Sequence, residues 1–227
     1  MIVKEQTTQI KTERTISLKR GWRYNCYLFV KRVLDIFASF LGMIVLSPII
    51  LLCLLIKWLE DFHNPIYVST RVGRNGKHFK FYKIRSMCLD ADTMKDALIK
   101  EGKNEVDGPA FKMKNDPRIT KFGKFLRKTS LDELPQLWNI FNGTMSIVGP
   151  RPPIPTEVKE YTPYQCQRLL VKGGLLCLWQ IQKNRNKISF EDWVALDLEY
   201  IEKQSIWLDI KIIFKGALMV IFDHSGE

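Results

Sequence analysis

The chain has 227 residues, of which 46% are hydrophobic and 26% are charged, and its formal net charge is +11. This composition excludes a disordered chain and suits one globular domain or a small domain with a membrane element. The positive charge predicts an anionic partner, either a nucleic acid, an anionic lipid or a phosphorylated substrate. Five cysteines without a CxxC spacing favour a reducing compartment over a disulfide framework or a zinc site.

Residues 1–30 are predicted to form a basic N-terminal arm, because lysines and arginines outnumber acids in this segment. No compact apolar run with a small-residue cleavage site follows the first basic residues, so a signal peptide is not predicted. We expect the arm to lie against the anionic headgroups of a membrane. A solvated tail is the alternative.

Residues 31–60 contain an uncharged run of 21 residues, 36–56, which is long enough to cross the bilayer core as a helix. Both flanks of the run are basic, and the positive-inside rule therefore places both in the cytoplasm. Pro48 lacks an N–H donor, and the hydroxyl of Ser47 can bond to the backbone group that is freed. We predict a re-entrant membrane helix that is broken at Ser47 and Pro48. A kinked full span and a buried soluble helix are the alternatives.

The remaining segment, 61–227, is predicted to be a cytosolic, membrane-associated domain that is mostly helical. An alternating run, FKFYKIRSM, is typical of a strand. Ser130 and Glu133 have the spacing of a capping box at a helix start. Helical patterns cover residues 89–101, 119–127, 130–140, 190–203 and 206–222, the last being amphipathic. The predicted fold class is mostly α with little β, a re-entrant helix-break-helix beside a small catalytic domain with surface amphipathic helices.

Asp132 and Glu133 are adjacent acids at the predicted helix start, in the run TSLDELPQLWN. Neighbours on a helix point about 100° apart, but two carboxylates at a helix start can still reach one ion. Carboxylates beside cations suit phosphoryl transfer, which needs a nucleophile, a divalent ion and positive charge. A helix cap is the commoner reason for such a pair, and the pattern alone leaves this alternative open. The nearby cations are Arg118, Lys121, Lys124, Arg127, Lys128 and Arg151.

The order of several motifs resembles the bacterial sugar transferase family over about residues 30–222. The motifs are KRVLDI before a Ser-Pro-broken apolar segment, STRVG, FKFYKIRSM, KNDPRITKFGKFLRKTSLDELPQLWNIFNGTMSIVGPRP and DLEYIEKQSIWLDIKIIF. These proteins are monotopic phosphoglycosyl transferases that begin exopolysaccharide, capsule and glycoprotein glycan synthesis.

The resemblance implies that Asp132 and Glu133 are the catalytic dyad and hold Mg²⁺. It implies that the aspartate attacks the β-phosphate of a UDP-sugar and releases UMP, and that undecaprenyl phosphate then accepts the sugar 1-phosphate. The hexoses suggested by KNDPRIT are glucose and galactose. The implied phosphate-binding residues are Arg127, Arg151, Lys83 and Arg85.

The resemblance also places the protein on the cytoplasmic face of a bacterial cell membrane, in contact with anionic lipids. A homo-oligomer is left open, and no nucleic-acid partner is expected. A membrane-anchored adaptor or nucleic-acid binder is the alternative from another class, but the chain has no helix-turn-helix, zinc-finger or RRM pattern.

One region, residues 172–185, departs from the family pattern. The usual Arg-Pro-Gly is replaced by Lys172, Gly173 and Gly174, and the usual Gly-Arg by Asn184 and Arg185, while the Trp179-Gln180 pair remains. If this loop shapes the donor pocket, the donor differs or the chain is an inactive member that acts on a partner. Exchange of proline for glycine is expected to loosen the loop.

Overall fold

The computed structural model describes residues 15–16, 21–105, 111, 113, 115–182 and 188–222. The predicted predominance of helix is confirmed. Three 3₁₀ turns, Arg74–Gly76, Leu131–Glu133 and Gln167–Leu170, lie between the longer elements. The strands are β1 (Ile66–Val72), β2 (His78–Ile84), β3 (Ser146–Val148) and β4 (Gly174–Leu176). The helices are α1 (Trp22–Asp61), α2 (Ala91–Lys100), α3 (Lys121–Lys128), α4 (Gln136–Phe141), α5 (Pro155–Lys159), α6 (Pro163–Cys166), α7 (Phe190–Lys203) and α8 (Ile206–Phe222).

Helix α1 has 40 residues and stays helical through Ser47 and Pro48, so the predicted break is not an interruption of the helix. The physical reason lies at Ile44, whose carbonyl would normally accept the N–H that Pro48 lacks. The Ser47 hydroxyl donates to that carbonyl at 2.7 Å and replaces the missing bond. Among the described residues, α1 is the one helix long and apolar enough to cross a membrane. It begins at Trp22, inside the segment assigned to the basic arm, most of which lies outside the described residues.

Both ends of α1 are tied to the globular domain. Near its start, Lys31 Nζ donates to Asp209 Oδ2 of α8 at 2.7 Å. At its end, Asp61 accepts two hydrogen bonds from Arg85 at the end of β2. Between these anchors α1 presents exposed apolar side chains, among them Phe37, Ile44, Val45, Ile49, Leu51, Leu52 and Leu55.

Strands β1 and β2 form an antiparallel hairpin whose register runs from Ile66 opposite Ile84 to Val72 opposite His78. The strand predicted from FKFYKIRSM is thus confirmed. The short strands β3 and β4 pair in parallel, with Ser146 opposite Gly174.

Most predicted helices match the observed ones. Residues 89–101 contain α2, the basic run 119–127 contains most of α3, and the predicted 190–203 and 206–222 coincide with α7 and α8.

The prediction of a single helix from Ser130 is wrong. Ser130 adopts a left-handed conformation (φ 55°) and its side chain caps nothing. A 3₁₀ turn follows, and Pro135 stands before α4, where its missing N–H costs no helical hydrogen bond. Instead of closing a capping box, the Glu133 side chain contacts Lys83.

Two small apolar clusters fix the turn Leu131–Glu133 between the hairpin and the helices. In one cluster, Ile84 of β2 and Leu126 of α3 are buried against Cys53 of α1, and Leu131 packs on them. In the other, Phe81 of β2 packs with Ile140 and Met145 around α4. A larger cluster, which includes Val148, Val194, Leu198 and Ile212, joins β3 to α7 and α8.

Candidate active site

The hairpin places two cations on one of its faces. Cross-strand neighbours share a face, so Lys83, Phe81 and Arg71 line the same side of the sheet. Lys83 Nζ lies 5.9 Å and the Arg71 guanidinium carbon 5.0 Å from the centre of the Phe81 ring. The aromatic ring therefore separates and orients two positive charges.

Asp132 and Glu133 face this pair of cations from the 3₁₀ turn. Lys83 Nζ lies 2.8 Å from Glu133 Oε1 and 3.5 Å from Asp132 Oδ2. The predicted dyad and the predicted phosphate-binding Lys83 are thus brought together. Glu133 has the firm ion pair, whereas Asp132 makes only a long contact with the ammonium.

The surroundings push the pKa values of the two carboxyls in opposite directions. Asp132 is 5% exposed, and burial raises its pKa above the usual range although Lys83 and Arg127 oppose the shift. Burial also acts to raise the pKa of Glu133, but Lys83, Arg151 and Arg71 together hold it below its usual value. Burial therefore disfavours the charged form of Asp132, whereas the surrounding cations favour the charged form of Glu133.

Arg127 approaches the dyad from α3. Its charge opposes the rise in the pKa of Asp132, and its Nε donates to the Ser86 hydroxyl at 3.0 Å. Helix α3 can come this close because Gly123 has no side chain: a Cβ at this position would lie 1.9 Å from the Ser86 carbonyl oxygen.

The exposed Arg151 lies on a proline-rich loop that is fixed to strand β1. The Val72 N–H donates to the Pro153 carbonyl at 2.9 Å, and the Arg71 guanidinium donates to the Pro152 carbonyl at 3.1 Å. Behind the loop, Arg168 donates to the Arg151 carbonyl at 3.4 Å. These contacts hold the Arg151 guanidinium within electrostatic reach of Glu133.

The structure places Arg85 in a different role from the one predicted. Its two terminal nitrogens donate to the Asp61 carboxylate at 2.6 and 2.7 Å, and its Nε donates to the Asn64 carbonyl at 3.0 Å. The Arg85 guanidinium therefore joins the end of α1 to the hairpin and does not contact the dyad.

Sequence reasoning missed two residues near the dyad. The Nε atom of Arg71 is buried, and this donor has no hydrogen-bond partner among the described residues. The same is true of Nε2 of Gln136, a 2% exposed residue that begins α4. Two sequence signals could have identified these residues. The first is the arginine of STRVG, which the alternation of side chains in β1 places beside Phe81. The second is the glutamine three residues after Glu133.

A family model of bacterial sugar transferases matches residues 26–223. The chain belongs to the bacterial sugar transferase family. It is 46% identical over 213 residues to galactosyl transferase CpsE of Streptococcus agalactiae, covering 94% of this chain and 46% of that one.

Two further family members show how much of each relative is shared. The undecaprenyl-phosphate galactose phosphotransferase of Salmonella typhimurium is 42% identical over 198 residues, which are 85% of this chain and 40% of that protein. The exopolysaccharide production protein ExoY of Rhizobium meliloti is 37% identical over 187 residues, 82% of each chain. The chain thus spans less than half of the first two relatives and most of the third.

The loop that departs from the family pattern packs tightly against the loop of Arg151. The Gly174 N–H donates to the Pro150 carbonyl at 2.8 Å, and a Cβ on Gly174 would lie 2.1 Å from Gly149 N. A Cβ on Gly173 would lie 2.9 Å from Pro152 Cβ. The glycines therefore permit a close approach of the two loops, and the loosening expected from the exchange of proline for glycine stays a prediction. Asn184 and Arg185 lie outside the described residues.

Trp179 and Gln180, which follow this loop, have structural contacts. The Trp179 ring stacks on Trp193 of α7 with 4.6 Å between ring centres. The Gln180 side-chain oxygen accepts the Cys177 N–H at 2.8 Å. Both residues therefore support the fold behind the candidate site.

Asp132 and Glu133 offer hard oxygen donors, the type that Mg²⁺ prefers. Among the described residues no cluster of three or more His, Cys, Asp or Glu side chains could hold a metal alone. Two adjacent carboxylates nevertheless fit Mg²⁺, because this ion is commonly bound by one or two carboxylates together with substrate phosphates and water.

Proposed function

We propose that this chain is a phosphoglycosyl transferase that moves a sugar 1-phosphate from a UDP-sugar to undecaprenyl phosphate. The observation that carries the proposal is the pair of a buried Asp132 and a partly exposed Glu133, which is bound by Lys83 and lies within electrostatic reach of three arginines. The names of the Salmonella and Rhizobium relatives support the lipid acceptor and a role in exopolysaccharide assembly.

Asp132 is the nucleophile in the first step. One of its carboxylate oxygens attacks the β-phosphorus of the UDP-sugar, forming an aspartyl–phosphorus bond. The bond from that phosphorus to the bridging oxygen breaks, and its electron pair leaves with UMP. Asp132 suits this role better than Glu133, because its longer contact with Lys83 leaves its carboxylate less engaged.

The second step returns the enzyme to its starting state. A phosphate oxygen of undecaprenyl phosphate attacks the same phosphorus, the aspartyl–phosphorus bond breaks, and Asp132 regains its carboxylate. The product is undecaprenyl diphosphate-sugar. Arg71, Arg127 and Arg151 provide the positive charge that balances the phosphate oxygens in both steps.

Asp132 and Glu133 would also hold Mg²⁺, which supplies charge neutralisation for the donor diphosphate when bound. Lys83 fixes Glu133 beside Asp132 and keeps the pKa of Glu133 low, so that this carboxylate remains a charged ligand.

The proposed membrane arrangement is re-entrant, on the cytoplasmic face. A straight helix from Lys31 to Asp61 would extend about 45 Å, yet both of these residues bind the same globular domain. The exposed apolar side chains between them would enter the lipid.

Topology is tested with impermeant maleimide on Trp22→Cys and Phe62→Cys proteins in which Cys26, Cys88 and Cys166 are serine. A re-entrant helix predicts that both positions react only in inverted vesicles. Reaction of the two positions from opposite sides would establish a full span instead.

The reaction is tested by UMP release from purified protein with Mg²⁺, undecaprenyl phosphate and a panel of UDP-sugars. UDP-galactose and UDP-glucose come first, because relatives are named for these sugars. We expect release with one donor and its loss in Asp132→Asn. Lys80→Gln, at an exposed lysine on the other face of β2, is the matched control. Absence of release by folded protein across the panel would favour a non-catalytic partner role.

A further inference from the structure

A cavity of about 130 Å³ lies between the first turns of α1, strand β3 and the residues that come just before β4. Four cationic side chains line it, together with one carboxylate, that of Asp35. The cations are Lys31, Arg32, Arg74 and Lys172. None of these cations was assigned to the dyad, so the cavity requires its own explanation.

Two of the four cations already have partners. Lys31 is paired with Asp209 at 2.7 Å. Arg32 donates to the carbonyls of Ile140 and Phe141 at the C-terminal end of α4, at 2.7 and 2.8 Å, and keeps its charge because carbonyls are neutral.

The other two cations, Arg74 and Lys172, have no ion pair or side-chain hydrogen bond with the described residues. Lys172 is half-buried, and burial, together with the charges of Arg32 and Arg74, lowers its pKa although Asp35 opposes the shift. With Lys31 neutralised by Asp209, three cations face the single charge of Asp35, which leaves a net charge of +2 in the cavity. Uncompensated positive charge of this kind is stabilised when an anion binds.

Ser146 also lines the cavity, but its hydroxyl is not part of the anion site. Its Oγ is fully buried and lies beside Asp35, where it acts to lower the pKa of that carboxyl. Asp35 also accepts the Ile147 N–H at 3.0 Å. The charge of Asp35 is therefore stabilised from the protein side of the cavity.

The position of the cavity indicates which anion reaches it. Its α1 residues, from Tyr24 to Asp35, come immediately before the uncharged run 36–56. If that run enters lipid, the cavity lies at the depth of the phosphate headgroups. The cavity is also separate from the dyad, because Arg32 binds the C-terminal end of α4 whereas Asp132 and Glu133 precede its N-terminal end.

We propose that this cavity is a second anion site, which binds the phosphate group of a membrane lipid through Arg74 and Lys172. The shared chemistry is a phosphate ester on an apolar chain, from either a phospholipid or a polyprenyl phosphate. Such a site would hold the start of α1 at the membrane surface. Lipid binding here does not depend on the transfer reaction, so the two proposals can fail separately.

The test is native mass spectrometry of the full chain in detergent, titrated separately with phosphatidylglycerol, undecaprenyl phosphate, phosphatidylcholine and inorganic phosphate. The variants are Arg74→Gln, Lys172→Gln and the double variant. Lys77→Gln is the matched control, because Lys77 is an exposed cation beside the same 3₁₀ turn that does not line the cavity. Lys172→Arg keeps the charge and checks that the loop tolerates substitution.

We expect each single substitution to weaken binding of an anionic lipid about 5-fold and the double variant about 30-fold, at roughly 1 kcal/mol per cation. Lys77→Gln and Lys172→Arg should change the affinity for the anionic lipid less than about 2-fold. A charge-dependent loss with phosphatidylglycerol would identify a phospholipid site, and a loss with undecaprenyl phosphate alone would identify a polyprenyl phosphate site.

Three outcomes would overturn the proposal. The first is equal weakening by Lys77→Gln, and the second is equal binding of neutral phosphatidylcholine. The third is displacement of the lipid by inorganic phosphate at equal concentration, which would define a soluble-anion site. Arg127→Gln is included for undecaprenyl phosphate: sensitivity to this variant alone would place that lipid at the dyad and not in the cavity.

Discussion

Lys83 and Glu133 form an ion pair 2.8 Å long between the hairpin and the 3₁₀ turn. This pair binds one carboxylate of the dyad firmly and leaves the other, Asp132, 3.5 Å from the same ammonium. The asymmetry gives the two acids different tasks, since one is held as a charged ligand and the other is left to react.

Replacement of Lys83 by Met should slow UMP release about 10²-fold or more, because a preorganised charge beside the phosphates is lost. Lys83 lowers the pKa of both Asp132 and Glu133. Its removal should therefore raise both pKa values and move the acid limb of the kcat/KM profile to higher pH. Lys80→Met is the control, and an unmoved acid limb in Lys83→Met would contradict this assignment.

Replacement of Asp132 by Asn should abolish turnover, by about 10³-fold or more, while it stabilises the protein at neutral pH. The folded-state pKa of Asp132 is raised, so its stabilising contribution is complete below the ordinary aspartate pKa and is lost as pH rises through the folded value. Asparagine removes the cost of burying the charge. Thermal unfolding should give a higher Tm for the variant at pH 7 and a smaller difference at pH 4, and a lower Tm at pH 7 would contradict the buried carboxylate.

The elements with strong periodicity were predictable from sequence. Helices α7 and α8 and the strand of FKFYKIRSM follow directly from spacing, since their apolar faces pack on one cluster or one sheet. The acid pair was identified by the family motif. Its association with Lys83 depends on hairpin register, which a single strand pattern does not specify.

The failures of prediction have tertiary causes. Ser130 has the spacing of a cap, but Glu133 binds Lys83, 50 residues away along the chain, instead of the Ser130 backbone. Arg85 comes directly after the strand that contains Lys83, and it binds the carboxylate at the end of α1 instead of the dyad. Contacts between distant segments decide both cases, and local pattern carries no information about them.

Replacement of Arg85 by Met should lower the free energy of unfolding by roughly 2–3 kcal/mol, because the Asp61 carboxylate loses its two-point partner and keeps only Lys57, at 3.2 Å, as a cation. The Arg85 side chain is 9% exposed and that of Asp61 is 22% exposed, so the loss is smaller than for a fully buried pair. Chemical denaturation in detergent measures this change. In the Asp61→Asn background the same substitution should cost less. If Arg85→Met instead raised the KM for the UDP-sugar strongly and left stability unchanged, Arg85 would be a phosphate-binding residue.

Replacement of Gly123 by Ala should destabilise the protein by about 1–3 kcal/mol, because the new Cβ overlaps the Ser86 carbonyl oxygen. Movement of α3 would carry Arg127 away from the dyad, so kcat should also fall. Gly42→Ala is the control, since its Cβ would meet only the mobile end of Leu137 at 3.3 Å. Equal stability of the two variants would show that α3 does not need this close approach.

The exposed face of α8 should lie in the membrane interface. Trp207 is 82% exposed and Phe214 is 63% exposed, and Ile210 and Ile213 lie exposed between them. An apolar helical face of this kind, beside the start of α1, is stabilised by burial among lipid headgroups and upper acyl chains. The tryptophan of this face is a natural reporter of its surroundings.

The difference between the fluorescence of wild type and Trp207→Phe isolates this tryptophan in reconstituted vesicles. We expect strong quenching by brominated lipids and weak quenching by aqueous acrylamide. Trp193→Phe is the control, because Trp193 stacks on Trp179 inside the domain and should be shielded from both quenchers. Efficient quenching of Trp207 by acrylamide alone would place α8 in water and restrict membrane contact to α1.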